Sequence, residues 1–289
     1  MSRRCFLIVN PTSGSYSPRR IDAVMARLSG AGFSPQLLIT GSADDASRFA
    51  ARICTEETDP FIIAGGGDGT VNGVVNGLVP GMATLGVLPL GTANVLAKEL
   101  GIGSVHEAVE KLVRQRERSI SAGMLEAAGE SRYFLLMAGI GFDGAVVEGV
   151  RLGEKRLMGK GAYVLSALRV LADWDRRQFT ISIDGRDISC HGAVICNASK
   201  YGGNFVLAPG AELFSPEFQV VYIRDGSRTA YLKLLMGMAT GKISGSGIAV
   251  MGGREIIVGG DKAVQVDGDF HCHGPLRVSL VENFVNIIV

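Results

Sequence analysis

The densest chemistry in the sequence lies in Gly65-Gly66-Gly67-Asp68-Gly69-Thr70, reached directly from the apolar run Phe61-Ile62-Ile63-Ala64. Successive glycines let a backbone take positive φ and pass close to a bulky anion without Cβ clashes, so that neighbouring N–H groups converge on phosphate oxygens. Asp68 would repel a bare phosphate; it makes sense where it holds Mg²⁺ or polarises a hydroxyl beside a nucleotide. Thr70 suits a phosphate contact or a helix cap. The competing reading is a plain strand-to-helix turn with Asp68 as N-cap. A second turn, Pro89-Leu90-Gly91-Thr92-Ala93-Asn94, repeats the arrangement one β-α unit later, and Asn10-Pro11-Thr12-Ser13-Gly14 closes the first apolar run with a short polar loop. The repetition favours phosphate binding.

Other constellations carry less. Asp267 and Asp269 flank Gly268, which in an extended segment puts both carboxylates on one face as a pair sharing a task; a surface hairpin turn is the alternative. His271-Cys272-His273 would place two imidazoles on one strand face as a candidate zinc pair, but no third ligand is evident, and a polar face beside Asp269 is favoured. Gly139-Ile140-Gly141-Phe142-Asp143-Gly144 spells G-x-G-x-x-G, yet Gly159 to Leu171 lacks the acidic residue that a dinucleotide ribose wants about 20 positions on. Gly241-Lys242 fails as a Walker A loop, because Ile243 follows and Met236 stands where the first glycine is needed.

These residues must be positioned by folded elements, and the composition permits them. At 289 residues the chain exceeds one comfortable core, and 47% apolar with 20% charged residues is the balance of a folded protein. A net charge of +1 excludes a global field drawing it to nucleic acid. Arg114, Arg116 and Arg118, and the group Arg151, Lys155, Arg156 and Lys160, read as solvated faces or as phosphate or anionic-lipid contacts. Five scattered cysteines fit reduced, mostly buried thiols in a cytoplasmic protein. No apolar run approaches the roughly 18 residues of a membrane span.

Through about residue 120 the pattern alternates strands and helices: strands at Cys5 to Val9, Ser34 to Thr40, Pro60 to Ala64 and Leu85 to Leu88, with helices at Pro18 to Ala31, Asp44 to Thr55, Val71 to Leu78 and Ala93 to Leu100. This predicts a mainly parallel sheet with glycine turns at its carboxyl edge, where phosphates bind. Beyond it, strands at Ser119 to Leu125, Tyr133 to Ala138, Phe179 to Ile183, His191 to Asn197, Phe218 to Ile223, Glu255 to Val258, Ala263 to Val266 and Leu276 to Val281 predict an antiparallel β domain. Asp184-Gly185 and Asp267-Gly268 mark hairpin turns, and helices are expected at Ala162 to Trp174 and Thr229 to Ala239. The division is therefore 1–120 and 121–283, with Phe284 to Val289 returning to the first domain.

Asn10 to Gly14, Gly65 to Asn76 and Pro89 to Gly101, in this order, resemble the nucleotide-binding segments of the diacylglycerol kinase catalytic-domain family, which includes bacterial lipid kinases and sphingosine and ceramide kinases. Gly139 to Asp143, Leu157 to Tyr163, Asn197 to Gly203 with Ala208-Pro209, and Val266 to Asp269 extend the resemblance over nearly the whole chain. It implies α/β plus β architecture: an N-terminal α/β nucleotide-binding lobe of NAD kinase-like fold and a C-terminal β-sandwich lobe, with ATP and lipid meeting between them. It implies ATP contacts from Asn10, Pro11, Thr12, Ser13, Gly14, Thr40, Gly66, Gly67, Asp68, Gly69, Thr70, Asn72, Thr92 and Asn94. Asp269 takes the place of the general base, Asp68 organises metal and phosphate, Asp267 supports them, and Asp143 faces the lipid head group or serves as a turn or N-cap aspartate.

Three departures stand out. Asp269 replaces a frequent Glu, Gly73 replaces another, and Phe214-Ser215-Pro216-Glu217 replaces an Asp-Asp-Gly stretch that holds a structural Mg²⁺ in some bacterial members. The expected activity is ATP- and Mg²⁺-dependent phosphorylation of a lipid hydroxyl at the inner membrane face, with a homodimer left open. A NAD kinase-like enzyme and a catalytically silent regulator are the alternatives.

Overall fold

The structure is a computed structural model that describes residues 2–151, 161–173, 177–240 and 247–289. Parts of the expected segments, residues 157–160, Trp174 and the Gly241-Lys242-Ile243 run, lie outside the described residues. The chain forms two units, one running to Ala122 with Gly202–Asn204 and Val281–Val289, the other comprising Gly123–Tyr201 and Phe205–Leu280.

In the first unit β1 (Arg3–Val9), β2 (Phe33–Ile39), β3 (Phe61–Gly66) and β4 (Thr84–Pro89) pair in the order β2-β1-β3-β4, all parallel. The end of β18 (Leu276–Ile288) adds beside β4, with Asn286 opposite Thr84. Every residue of β3 and β4 is buried, as strands covered on both faces require. Helices α1 (Pro18–Gly30), α2 (Asp45–Glu56), α3 (Asp68–Val75), α4 (Val95–Glu99) and α5 (Val105–Arg114) fill the connections. Local signals set their ends. Ser17 accepts from the Arg20 N–H with Pro18 at the first turn, and α1 then buries Ile21, Val24 and Leu28 as one stripe. Before α5, Ser104 accepts from the Glu107 N–H while Glu107 accepts from the Gly103 N–H.

The second unit is a β-sandwich. One sheet runs β14 (Ile248–Gly253), β13 (Phe218–Ile223), β10 (Gly192–Cys196), β7 (Met137–Ile140), β16 (Ala263–Val266) and β17 (Asp269–His273), antiparallel throughout. The facing sheet contains β9 (Arg186–Cys190), β8 (Phe179–Ile183), β15 (Glu255–Val258), the start of β18, the end of β5 (Glu117–Ala127) and β6 (Glu130–Phe134). Between them lie Ile195, Phe218, Val220 and Tyr222 from one sheet and Ile181, Ile183, Ile256 and Val258 from the other. Phe134 stacks on Phe218 at 5.9 Å between ring centroids. Helices α6 (Phe142–Glu148), α7 (Gly161–Ala172) and α8 (Arg228–Thr240) and the short pair β11 (Lys200–Tyr201) and β12 (Phe205–Val206) complete the unit.

Three differences from the sequence reading have physical causes. Tyr133 to Ala138 is two strands in two sheets, because the chain crosses the sandwich at Leu135-Leu136 with those N–H groups bonded to the Asp267 carboxylate instead of a strand partner. α3 starts at Asp68 rather than Val71, since Gly67 is its N-cap and its carbonyl accepts from the Thr70 and Val71 N–H groups. The two expected C-terminal strands are one, β18, carried through Asn283 at φ 52°.

Candidate functional site

In the first unit, the loops following β1, β3 and β4 meet at the carboxyl edge of the parallel strands. The Asn10 N–H donates to the Gly65 carbonyl and its Nδ2 to Thr70 Oγ1 at 3.4 Å; the Ser15 N–H donates to the Leu90 carbonyl. Asn10 Oδ1 accepts from the Thr12 N–H and hydroxyl, which shapes the Pro11-Thr12-Ser13 loop. Leu90 and Gly91 N–H groups both donate to the Gly66 carbonyl. The glycines are needed by contact: a Cβ on Gly91 would lie 2.3 Å from Gly67 Cα, and one on Gly66 would lie 2.2 Å from Thr70 Oγ1. The two glycine turns are thus packed backbone to backbone. Asn94, at φ 48°, ties the second turn by donating to the Gly91 carbonyl and accepting from its N–H. Thr92 is exposed beside Gly14, while Thr40 is buried at the end of β2, its N–H on the Val9 carbonyl.

Asp68 reaches beyond its own helix. Its Oδ1 accepts from the Val95 N–H at 2.7 Å and the Leu96 N–H at 3.3 Å, so one carboxylate grown from the first turn secures the helix that follows the second. Burial pushes its pKa up, opposed by those two N–H groups, by its own N–H and by Lys98 nearby. Asn72 is turned inward, 2% exposed, and accepts from Asn76 Nδ2. Gly73, in place of a Glu, faces α2: a Cβ there would touch Ala46 Cβ at 3.0 Å, so close helix packing excludes a longer side chain.

In the second unit, Asp267-Gly268 is the two-residue turn between β16 and β17, at φ 49° and 92°. The same-face pair expected of Asp267 and Asp269 is therefore not formed. Asp267 occupies the turn and its carboxylate accepts from the Leu135, Leu136 and Met137 N–H groups at 2.9–3.0 Å, whereas Asp269 begins β17 with an exposed side chain. The histidine pair is also split. A bulge at His271 shifts the register, so Phe270 and His273 share a face at 5.5 Å while His271 lies near Glu130 and Arg132.

Asp143 sits in the first turn of α6. Its Oδ1 accepts from the Tyr201 hydroxyl and its Oδ2 from Gln265 Nε2 at 2.7 Å; burial raises its pKa and these donors pull it back. The glycines of the G-x-G-x-x-G run serve this packing in an antiparallel sheet: a Cβ on Gly139 would strike the Asp143 carboxylate at 1.8 Å, and one on Gly144 the Ala263 carbonyl at 2.1 Å. Gln265 and Tyr201 escaped the sequence reading. Its one available signal was a glutamine inside the apolar run Ala263-Val264-Gln265-Val266.

Comparison with known proteins places both units. Residues 4–125 match the diacylglycerol kinase catalytic domain and residues 137–289 match the YegS C-terminal NAD kinase beta sandwich-like domain. A "Diacylglycerol kinase" of Bacillus subtilis is 28% identical over 241 residues, covering 80% of this chain and 77% of the relative. A "Probable lipid kinase YegS-like" of Chromohalobacter salexigens is 31% identical over 240 residues, covering 80% and 74%. A crystal structure from Bacillus anthracis superposes with a TM-score of 0.81 at 20% identity over 99% of this chain and 95% of that one. With the paired glycine turns of the first unit joined in sequence to this sandwich, the chain belongs to the diacylglycerol kinase catalytic-domain family and is a lipid kinase, a phosphotransferase.

Proposed function

We propose that the chain transfers the γ-phosphate of ATP to the hydroxyl of a diacylglycerol-like or sphingoid-like lipid. The observation that carries this reading is the close packing of the Gly66-Gly67 and Gly91 turns at the carboxyl edge of the parallel strands, where added side chains would collide and a polyphosphate would lie against backbone. Asn10, Thr12, Ser13, Gly14, Gly69, Thr70, Thr92 and Asn94 supply the surrounding donors, with Thr40 and Asn72 beneath them. Mg²⁺ would fit beside Asp68, a partly exposed carboxylate whose raised proton affinity a cation would reverse. Held there with the nucleotide, such an ion would neutralise phosphate charge.

On the acceptor side, the lipid hydroxyl oxygen forms the new bond to the γ-phosphorus, the bridging bond to the β-phosphate oxygen breaks, ADP leaves, and Asp269 accepts the hydroxyl proton. Asp267 anchors the turn that presents Asp269, and Asp143 faces the lipid head group. A NAD kinase reading is not favoured: the N-terminal match is to a diacylglycerol kinase domain and the relatives named above are a diacylglycerol kinase and a probable lipid kinase, while the NAD kinase-like description of the C-terminal match speaks to its sandwich fold.

The lipid is met at a membrane surface: α7 and α8 expose Val164, Leu168, Leu232, Leu235 and Met236 with Arg169 and Lys233 among them. Labelling lipid extracts with γ-labelled ATP tests the mechanism. Asp269→Ala and Asp68→Ala are each expected to lose at least about 100-fold in rate while keeping the wild-type circular dichroism spectrum. Full activity in either would remove that residue from the assignment.

A further inference from the structure

We propose that Gln265 is a positioning residue for phosphoryl transfer: its buried amide ties the Asp143 carboxylate to the turn that presents Asp269. The inference rests on the reading of Asp269 as proton acceptor. Gln265 is 1% exposed in a strand whose four residues are all buried. An amide buried so fully costs stability unless both its ends are bonded. Both are: Nε2 donates to Asp143 Oδ2 at 2.7 Å, and Oε1 accepts from the Gly268 N–H at 2.7 Å.

The surroundings are arranged around this side chain. Its cross-strand partner on β7 is Gly139, where a Cβ would fall 2.8 Å from Gln265 Nε2 as well as into the Asp143 carboxylate. The Tyr201 hydroxyl occupies the other Asp143 oxygen. Directly opposite, the register of β17 resets, Gln265 facing Phe270 and Val266 facing Asp269. The amide has one workable orientation, because the Gly268 N–H requires an oxygen and an ionised carboxylate requires a donor.

The sandwich core takes Val264 and Val266 from the other face of this strand, and on the face that Gln265 shares with buried Ala263 an apolar side chain would serve packing alone. What the amide adds is a fixed span between two carboxyl-bearing elements, α6 and the β16–β17 turn. Misplacing a reacting group by about 1 Å costs on the order of 100-fold in rate. Other titratable groups around Asp143 are Tyr201, with Tyr163 beside it, and Cys196.

Gln265→Met keeps length and apolar packing but removes both bonds; Gln265→Glu keeps the acceptor for Gly268 and removes the donor to Asp143. In the full chain, measured with ATP and a short-chain diacylglycerol in micelles, Gln265→Met is expected to fold and to lose about 100-fold in kcat, with KM for ATP within about twofold. Gln265→Glu is expected to track pH. At low pH the introduced carboxyl is protonated and can donate to Asp143, so activity relative to wild type is highest there and falls as pH rises. A folded Gln265→Met with wild-type kcat, a flat Gln265→Glu ratio across pH, or failure of both variants to fold would each overturn the proposal in favour of packing alone. Asp269→Ala is measured in parallel. If it stays active, the proton-acceptor assignment falls and this one with it; if it is dead while Gln265→Met matches wild type, only the Gln265 role falls.

Discussion

At the scale of single residues, Asp68 holds stability and chemistry in opposition. Its carboxylate caps α4 through two N–H groups, a task that a neutral carbonyl oxygen performs as well, yet its burial disfavours the charge. An acid whose folded pKa is raised subtracts stability above that pKa and ceases to do so as pH falls through it toward the ordinary range near 4. Asp68→Asn is therefore expected to raise Tm at pH 8, with the gain shrinking as the pH of the melt is lowered, while lipid phosphorylation is lost. A drop in Tm at pH 8 would show that the charge itself holds the two turns together. Gly91→Ala separates the same turns sterically, because its Cβ would meet Gly67 backbone at 2.3 Å; KM for ATP should rise and Tm fall, whereas Gly30→Ala, in α1 with nothing within 4 Å, should leave KM unchanged and not lower Tm. The strand, glycine turn and helix at residues 61–75 were legible in sequence because residue type and spacing mark such a turn, with anion binding and plain capping both open to it. That Asp68 bonds Val95 and Leu96 was not, since the contact depends on two β-α units being adjacent in the sheet.

At the scale of elements, three two-residue hairpins use the same device. Ala128-Gly129, Asp184-Gly185 and Asp267-Gly268 each place consecutive residues at positive φ, as a right-twisted hairpin requires. In the two Asp-Gly turns the aspartate also stitches a neighbouring segment: Asp184 accepts from Arg254 and Glu255 N–H groups, and Asp267 from three N–H groups where the chain crosses the sandwich. The Asp184 site is exposed and water can replace the carboxylate, whereas the crossing at Leu135 to Met137 is buried. Asp267→Ala should cost about 2–4 kcal/mol in urea unfolding and Asp184→Ala about 1. Equal costs would mean that the crossing finds other partners. Dipeptide chemistry announced the Asp-Gly turns, and periodicity found Phe179–Ile183, Phe218–Ile223, Glu255–Val258 and Ala263–Val266 to the residue. It missed α6, whose seven residues offer no full amphipathic repeat, and the bulge in β17, because a register shift is set by the partner strand.

At the scale of the whole molecule, a kinase for a bilayer-resident acceptor must reach its substrate, and no helix among the described residues is long and apolar enough to cross a membrane. The second unit instead exposes large apolar side chains on two helices linked where Arg228 donates to the Ala172 carbonyl. Met236 is 72% exposed, Val164 63% and Leu168 58%, values that cost solvation in water and are recovered when the side chains enter the headgroup boundary. Arg169 and Lys233, also exposed, would add attraction to anionic lipid if this face docks, on the order of 1 kcal/mol per basic residue near the surface. The wild-type chain should co-sediment with vesicles containing phosphatidylglycerol more strongly than with phosphatidylcholine alone, and the difference should fade with salt. Leu235→Glu combined with Leu168→Glu should abolish sedimentation and reduce turnover of vesicle-borne diacylglycerol, while turnover of a water-soluble short-chain acceptor stays at the wild-type level. Loss on both acceptors would place these helices in the catalytic unit's stability rather than at the membrane, and unchanged sedimentation would show that another face docks.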